Sequence, residues 1–280
     1  MITLNFIYPA QSNIKFEAMV FPDGQPHIKM DMASLGSVGK SSRVRILSRI
    51  VSSNDLLLVL LAKNVLNYEG FDQVELHISY LMGGRMDRVM QDGEPFSLRV
   101  IAGIINAACF KKVLVFDQHS EVTTALIERS YPISNHDFVK DAIADYMGKH
   151  APKKYCLVAP DGGALKKIHK LSQYLGIETV IECSKVRDLK TGALSHFKTA
   201  TTDLNGQTCF IIDDICDGGG TFAGNAAMLR QLGADKVVLV VSHGIFSRGI
   251  SINEVDTIYT TDSYRSIEGV SCFEMGKYLV

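Results

Sequence analysis

The run Phe210-Ile211-Ile212-Asp213-Asp214-Ile215-Cys216-Asp217-Gly218-Gly219-Gly220-Thr221 decides how this chain is read. An apolar strand ends in two acids, a third acid follows, and three glycines open a helix that runs from Thr221 to Leu232. Glycines let the backbone approach an anion, and the N–H groups at the helix start bind phosphate with the help of the helix dipole. Adjacent acids at a strand end accept hydrogen bonds from vicinal hydroxyls or hold the water shell of a metal. Acids for a sugar beside amides for a phosphate make a site for a phosphorylated sugar. The same residues would also make a tight acidic turn between strand and helix.

Outward from this run, short β-branched segments alternate with helical patterns, which predicts α/β architecture with mostly parallel strands. Before it, the pattern predicts strands over Val44 to Ile50, Val74 to Ile78 and Lys112 to Phe116, with helices over Leu56 to Leu66 and Phe96 to Ala108. Tyr80 to Gly93 reads as a mobile arm. A second series starts after Tyr131-Pro132: helix Asp137 to Met147, strand Tyr155 to Ala159, helix Ala164 to Leu175 and strand Glu178 to Glu182. Beyond the glycine-rich run, Lys236 to Val241 is a further strand. The division falls near residues 130 to 136, giving domains 1–133 and 134–280, with the last residues able to pack on the N-terminal domain.

The 280 residues suffice for two cores, and 46% hydrophobic with 21% charged residues is a globular composition. A net charge of −1 gives no cationic field for a polyphosphate backbone, so nucleic acid is not expected as a partner. The longest apolar candidate, Leu56 to Ala62, is far short of a membrane span, and Met1 to Phe6 does not read as a signal peptide. Six cysteines without CxxC pairing suggest reduced thiols and a cytoplasmic protein.

The glycine-rich run resembles the signature loop shared by phosphoribosyltransferases and PRPP synthetases: two acids, two variable residues, Asp-Thr, one variable residue, Gly-Thr. The resemblance implies that Asp213, Asp214 and Asp217 hold a ribose and that Gly218, Gly219, Gly220 and Thr221 hold its 5-phosphate. Gly218 departs from the family's Thr or Ser, which removes one hydroxyl donor and opens space.

Further motifs resemble the PRPP synthetase family in the same order along the chain. Tyr80-Leu81-Met82-Gly83-Gly84-Arg85-Met86-Asp87-Arg88 is similar to the family's Tyr-Tyr-Gly-Tyr-Ala-Arg-Gln-Asp-Arg arm. That implies ATP contacts from Arg85, Met86, Asp87 and Arg88, although Val89, Gln91 and Gly93 stand where the family is basic. Phe116-Asp117-Gln118-His119 resembles its Asp-Leu-His, implying that His119 helps bind Mg²⁺-ATP. Pro160-Asp161-Gly162-Gly163 resembles its Pro-Asp-x-Gly-Gly turn, implying that Asp161 supports the metal and ribose; as residues alone, this is a turn with Asp161 as a cap. Ser184-Lys185-Val186-Arg187 matches x-Lys-x-Arg at the root of a catalytic flexible loop, here Lys185 to about His196. Two cations at alternate positions of an extended root suit phosphoryl transfer, which is catalysed by positioning and by offsetting charge on the transferring oxygens. Phe21-Pro22-Asp23-Gly24-Gln25 resembles Phe-x-Asp-Gly-Glu, implying that Phe21, Asp23 and Gln25 reach the adenine of a neighbouring subunit. Ser242-His243-Gly244-Ile245-Phe246-Ser247 is similar to Thr-His-Gly-Ile-Phe-Ser, a stretch that shapes the pocket floor.

These resemblances imply two phosphoribosyltransferase-like domains, each a mostly parallel sheet flanked by helices. They imply a Mg²⁺-dependent transfer of the β,γ-diphosphoryl group of ATP to C1 of ribose 5-phosphate or a larger ribose-5-phosphoryl acceptor such as ADP-ribose. AMP would leave, Lys185 and Arg187 would act on the transferring group, and the protein would be a homo-oligomer, a dimer or a hexamer of dimers. A phosphoribosyltransferase using PRPP, and a non-catalytic regulator of PRPP-synthetase type, stay open on the sequence alone.

Overall fold

The structure, a computed structural model, describes residues 1–187 and 194–279, with only the backbone described for residues 185–187 and 194–196. The chain divides into two compact units: Met1–Ser134 together with Leu279 near the C-terminus, and Asn135–Tyr278.

The first unit carries β1 (Ile2–Asn5), β2 (Phe16–Val20), β3 (Pro26–Met30), α1 (Met32–Gly36), β4 (Val44–Ile50), α2 (Ser53–Tyr68), β5 (Val74–Leu81), α3 (Ser97–Ala107), β6 (Lys112–Phe116), α4 (Val122–Leu126) and β7 (Ser130–Ile133). Its five-stranded sheet runs in the order β1-β4-β5-β6-β7, every pair parallel. Central β5 is buried along almost its whole length, as a strand covered on both faces must be. Leu4, Ile46, Val59, Leu76, Leu98 and Val113 belong to one apolar cluster that joins strands to α2 and α3. β2 and β3 form a separate antiparallel ribbon. The C-terminal tail is tied to this unit by buried His77, whose Nδ1 lies 3.1 Å from the Leu279 carbonyl oxygen.

The second unit carries α5 (His136–His150), β8 (Tyr155–Ala159), α6 (Leu165–Leu175), β9 (Val180–Arg187), β10 (Leu194–Thr199), β11 (Thr208–Cys216), α7 (Gly220–Gln231), β12 (Lys236–Gly244), β13 (Thr257–Thr261) and β14 (Ser271–Phe273). The sheet order is β10-β9-β8-β11-β12-β13-β14, parallel except where β10 folds against β9. The chain steps from β8 outward to β9 and then returns to the other side of β8 with β11. In a parallel sheet, the crevice at the carboxyl ends of two strands where the order reverses is the natural ligand position. The first sheet proceeds in one direction and has no such reversal.

Fold class and the positions of the expected strands agree with the structure, and several local readings change, among them β9, which runs on to Arg187, and β10, which begins at Leu194, so that both ends of the expected flexible loop are strand. β11 does not end at its acids but continues through Asp213 and Asp214 to Cys216, because β12 pairs with it as far as Gly244. Pro132 lies inside β7, an edge strand, where its missing N–H has no ladder partner to deprive. The N-terminal strands β1 to β3 carried too short an apolar signal to be read. Among the described residues, no helix is long and apolar enough to cross a membrane.

Helix α2 starts with a reciprocal cap: the Asp55 N–H donates to Ser52 Oγ at 3.2 Å, and the Ser52 N–H donates to Asp55 Oδ2 at 2.8 Å. Losing such a cap costs about 1 kcal/mol. Ser52→Ala is therefore expected to lower the stability of the first unit by about that amount in urea unfolding.

Candidate active site

The carboxyl ends of β8 and β11 place two of the motifs side by side. Cys209 pairs with Cys156 and Ile211 with Val158, so the turn after β8 and the acids near the end of β11 emerge as neighbours. Asp213 is half-buried and Asp214 buried; the Asp214 N–H donates to Asp213 Oδ1 at 2.9 Å. After Asp217 the chain turns through Gly218 and Gly219 into α7. Gly219 is the N-cap, at φ +76, and a Cβ there would lie 3.1 Å from Ile252 Cγ1. Both facts require glycine. The N-cap has no side chain to offer the first-turn N–H groups of a 12-residue helix, which suits an anion at that point.

Asp161 sits in the turn after β8, where its Oδ1 accepts from the Gly163 N–H at 2.9 Å and the Ala164 N–H at 3.2 Å. One oxygen of the proposed metal residue thus serves the turn before α6, the structural role that its sequence also allowed. Asn225, which the motif reading missed, ties this turn to the helix that the glycine-rich loop opens. Its Nδ2 donates to the buried Pro160 carbonyl oxygen at 2.9 Å from the first turns of α7, and its side chain is fully buried. The signal was present: Asn225 falls on the buried stripe of Phe222, Ala226 and Leu229, where a polar residue needs a partner.

The strands that would carry the catalytic cations are tethered to the same helix. Gly224 of α7 faces Phe197 of β10, and a Cβ on Gly224 would lie 2.1 Å from the Phe197 ring. β10 in turn pairs with β9, Leu194 opposite Arg187 and Lys198 opposite Ser184. Lys185 and Arg187 occupy alternate positions of β9, but their side chains lie outside what is described, as does the part of the expected flexible loop at residues 188–193.

Gly218 is exposed, but the room expected beside it is already covered. A Cβ there would stand 3.5 Å from both Cδ and Nε of Arg248. The segment bearing Arg248 is fixed to the loop: Ile245 N–H donates to the Cys216 carbonyl at 2.9 Å, and Ser247 Oγ donates to Asp217 Oδ1 at 2.5 Å. Ser242 and His243 are buried, with the Ser242 carbonyl accepting from Thr261 Oγ1 at 2.6 Å and from Ser263 Oγ at 2.9 Å. They are buried framework, the structural role that these residues also allowed. Cys216 next to the loop is no nucleophile, since burial pushes its thiol up to about 12.

In the first unit, the arm residues follow β5 in a turn closed by the Met86 N–H donating to the Gly83 carbonyl at 2.9 Å. The Leu98 N–H donates to the Met86 carbonyl at 3.2 Å, pinning the arm to the start of α3. Arg85, Met86 and Arg88 are exposed, and Asp87 lies 4.0 Å from the Arg88 Nε. His119 is exposed in the turn that follows β6 and Asp117, a residue in the left-handed region at φ +38. Phe21, Asp23 and Gln25 form the tip of the β2–β3 ribbon, with the Phe21 N–H donating to the Gln25 carbonyl at 2.8 Å. Asn54 Nδ2 donates to the Gly24 carbonyl at 3.1 Å and holds this tip to the start of α2.

Among the described residues, no group of three or more His, Cys, Asp or Glu side chains forms a metal cage. Mg²⁺ does not need one: it keeps several waters and takes one or two carboxylates with substrate phosphates. Asp161 and Asp213 are close enough that the charge of the first helps raise the second's pKa, so the second unit does offer hard oxygen donors of the kind Mg²⁺ takes.

A family model described as the phosphoribosyl transferase domain matches residues 135–274. The chain is 30% identical over 237 residues to a ribose-phosphate pyrophosphokinase of Pyrococcus abyssi, covering 84% of this chain and 78% of the relative. It is 29% identical to one of Thermococcus kodakarensis, covering 84% of this chain and 80% of the relative. Among solved structures, phosphoribosylpyrophosphate synthetase of Mycobacterium smegmatis shares the fold, with a TM-score of 0.77 over 94% of this chain and 87% of that one at 17% identity.

Burial first, then the negative charge of Asp214, hold the Asp213 carboxyl well above the ordinary carboxylate range, with Asp161 acting in the same direction. The folded state therefore keeps this proton to higher pH than the unfolded chain does. Its contribution to stability is lost as pH rises from near 3.8 toward the folded value. In EDTA, Asp213→Asn is expected to gain stability relative to the parent as pH rises through that window, then to level off. Urea unfolding of both proteins from pH 4 to 8 checks this; a gap that does not change with pH would assign the titration to another group.

Proposed function

This chain belongs to the ribose-phosphate pyrophosphokinase family, and from that premise we propose that it moves the β,γ-diphosphoryl group of ATP onto the C1 hydroxyl of a ribose 5-phosphoryl acceptor. It is a transferase of ribose-phosphate diphosphokinase type. The observation that carries the reaction is the extent of the similarity. A 237-residue alignment cannot fit within the residues after 134, so it takes in much of the first unit. A phosphoribosyltransferase needs only the loop of the second unit, and the first unit's arm and His119 would then have no part to play.

In this reading the C1 hydroxyl oxygen attacks the β-phosphorus and gives up its proton to solvent, the bond from that phosphorus to the bridging oxygen of the α-phosphate breaks, and AMP leaves with that oxygen. Asp213, Asp214 and Asp217 orient the ribose hydroxyls, and Gly218 to Thr221 receive the 5-phosphate through backbone N–H groups and the start of α7. Phe21, Asp23 and Gln25 of a neighbouring copy, with Arg85 to Arg88, receive the nucleotide. His119 and Asp161 assist Mg²⁺, which when bound offsets charge on the transferring oxygens. Lys185 and Arg187 add two positive charges where negative charge develops. The acceptor is ribose 5-phosphate or a larger relative such as ADP-ribose. Room for a larger one is supported by Ile252, which touches the loop at Gly219 and also lines an open cavity of about 360 Å³ with Ile250, Val255 and Gly269.

Assembly as a homo-oligomer is supported by the ribbon tip. Met19 and Val20 at the end of β2 and Phe21 just after it are between 43% and 61% exposed, and among the described residues β2 pairs with β3 alone, so a second copy would have an apolar strand edge to cover. The six cysteines are free, which fits the reducing cytoplasm.

Incubated with ATP, Mg²⁺ and ribose 5-phosphate or ADP-ribose, the protein should release AMP, and chelation by EDTA should abolish the release. Lys185→Ala should lower kcat at least ~100-fold and leave ATP affinity within a few-fold. Near-normal turnover in that variant removes Lys185 from the mechanism, and absence of AMP with both acceptors rejects the reaction. Light scattering should show at least a dimer; a fully active monomer contradicts the shared adenine site.

A further inference from the structure

Arg248 belongs to no motif, yet its side chain lies where the phosphate loop departs from its family. It follows Ser247, whose hydroxyl is bonded to Asp217 at 2.5 Å and whose N–H donates to the Asp217 carbonyl at 3.2 Å. The turn that presents it closes with the Gly249 N–H donating to the Phe246 carbonyl at 3.0 Å. Two anchors therefore fix the backbone on either side of Arg248, and the aliphatic stem passes over Gly218 at van der Waals distance from the missing Cβ. The residue is exposed, and among the described residues its guanidinium has neither an ion-pair partner nor a hydrogen bond. An arginine laid along a phosphate loop with its charge uncommitted is arranged to receive an anion.

Resting on the reaction proposed above, we infer that Arg248 is the residue that recognises the acceptor's 5-phosphoryl group in place of the hydroxyl lost at Gly218. The two positions act as a compensating pair. A Cβ at 218 would already touch the arginine stem, and a threonine would carry two further heavy atoms beyond it, so the two side chains compete for the same space. Glycine lets the stem lie flat, and the guanidinium then supplies a permanent charge and up to five N–H donors where threonine would supply one O–H. Such a site favours the doubly charged ester over the unphosphorylated sugar and weakens with salt, because the exposed cation is screened.

The test is calorimetric binding of ribose 5-phosphate, and separately of ADP-ribose, to the full chain with Mg²⁺ and an unreactive ATP analogue. Arg248→Ala should weaken acceptor binding by roughly 10- to 100-fold while the ATP analogue binds as before. Arg248→Lys should recover part of the loss, and the difference between parent and Arg248→Ala should shrink as salt rises. Gly218→Thr alone should also weaken binding by displacing the stem. The double variant Gly218→Thr/Arg248→Ala should bind better than either single one, a non-additivity that two independent structural defects would not give. Thermal melting of each variant confirms that the fold is kept. If the parent binds an acceptor and Arg248→Ala binds it equally well, the assignment of Arg248 is overturned and the reaction stands. If the parent binds neither acceptor, the reaction falls and this inference with it.

Discussion

The parallel pairing of β8 with β11, in which Cys209 lies opposite Cys156 and Ile211 opposite Val158, sets where every group of the second unit can stand. It brings the Asp161 turn and the Asp213–Thr221 loop to one end of the sheet, at the point where strand order reverses. The two strands are buried on both faces at these positions, so a slip of one residue would misfit the side chains packed above and below them. Register is thus held by the core, and the acids inherit their position from it. Asn225 adds a second constraint, because its bond to the Pro160 carbonyl links the helix after one motif to the turn after the other.

From α7 the constraint spreads outward through small residues. Gly219 allows the left-handed turn against Ile252, and Gly224 accepts the Phe197 ring of β10. A side chain at either place would move a different part of the proposed site, the phosphate loop in one case and the β9–β10 ribbon in the other. The elevated pKa of Asp213 belongs to the same economy of space: burial beside Asp214 makes its charge costly, and a cation or a pair of ribose hydroxyls beside it would stabilise the ionised form.

Much of the fold was legible because its strands are covered on both faces and read as short apolar runs between helical stripes. β8 and β6 appear with the boundaries their sequences suggest. β11 runs longer than its apolar run because pairing with β12 outweighs the low strand preference of two aspartates. The β2–β3 ribbon was illegible for a different reason: β2 is largely exposed, and the alternation of β3, with Ile28 and Met30 buried and His27 and Lys29 exposed, lasts only five residues.

By itself the sequence determined the chemistry on offer: acids, glycines and a helix start in one unbroken run, whose spacing along the chain is also its spacing in space. Local motifs survive reading without coordinates because their residues are joined by a few covalent links. What only tertiary structure decided were the partners brought from far along the chain. Asn225 on Pro160, Phe197 on Gly224, Ser247 on Asp217 and the Arg248 stem over Gly218 each join residues about 25 or more positions apart. The Arg248 stem borders the open space that a missing side chain suggests at Gly218. Sequence spacing carries no information on such contacts, because they depend on which strands pair and which face each loop then crosses.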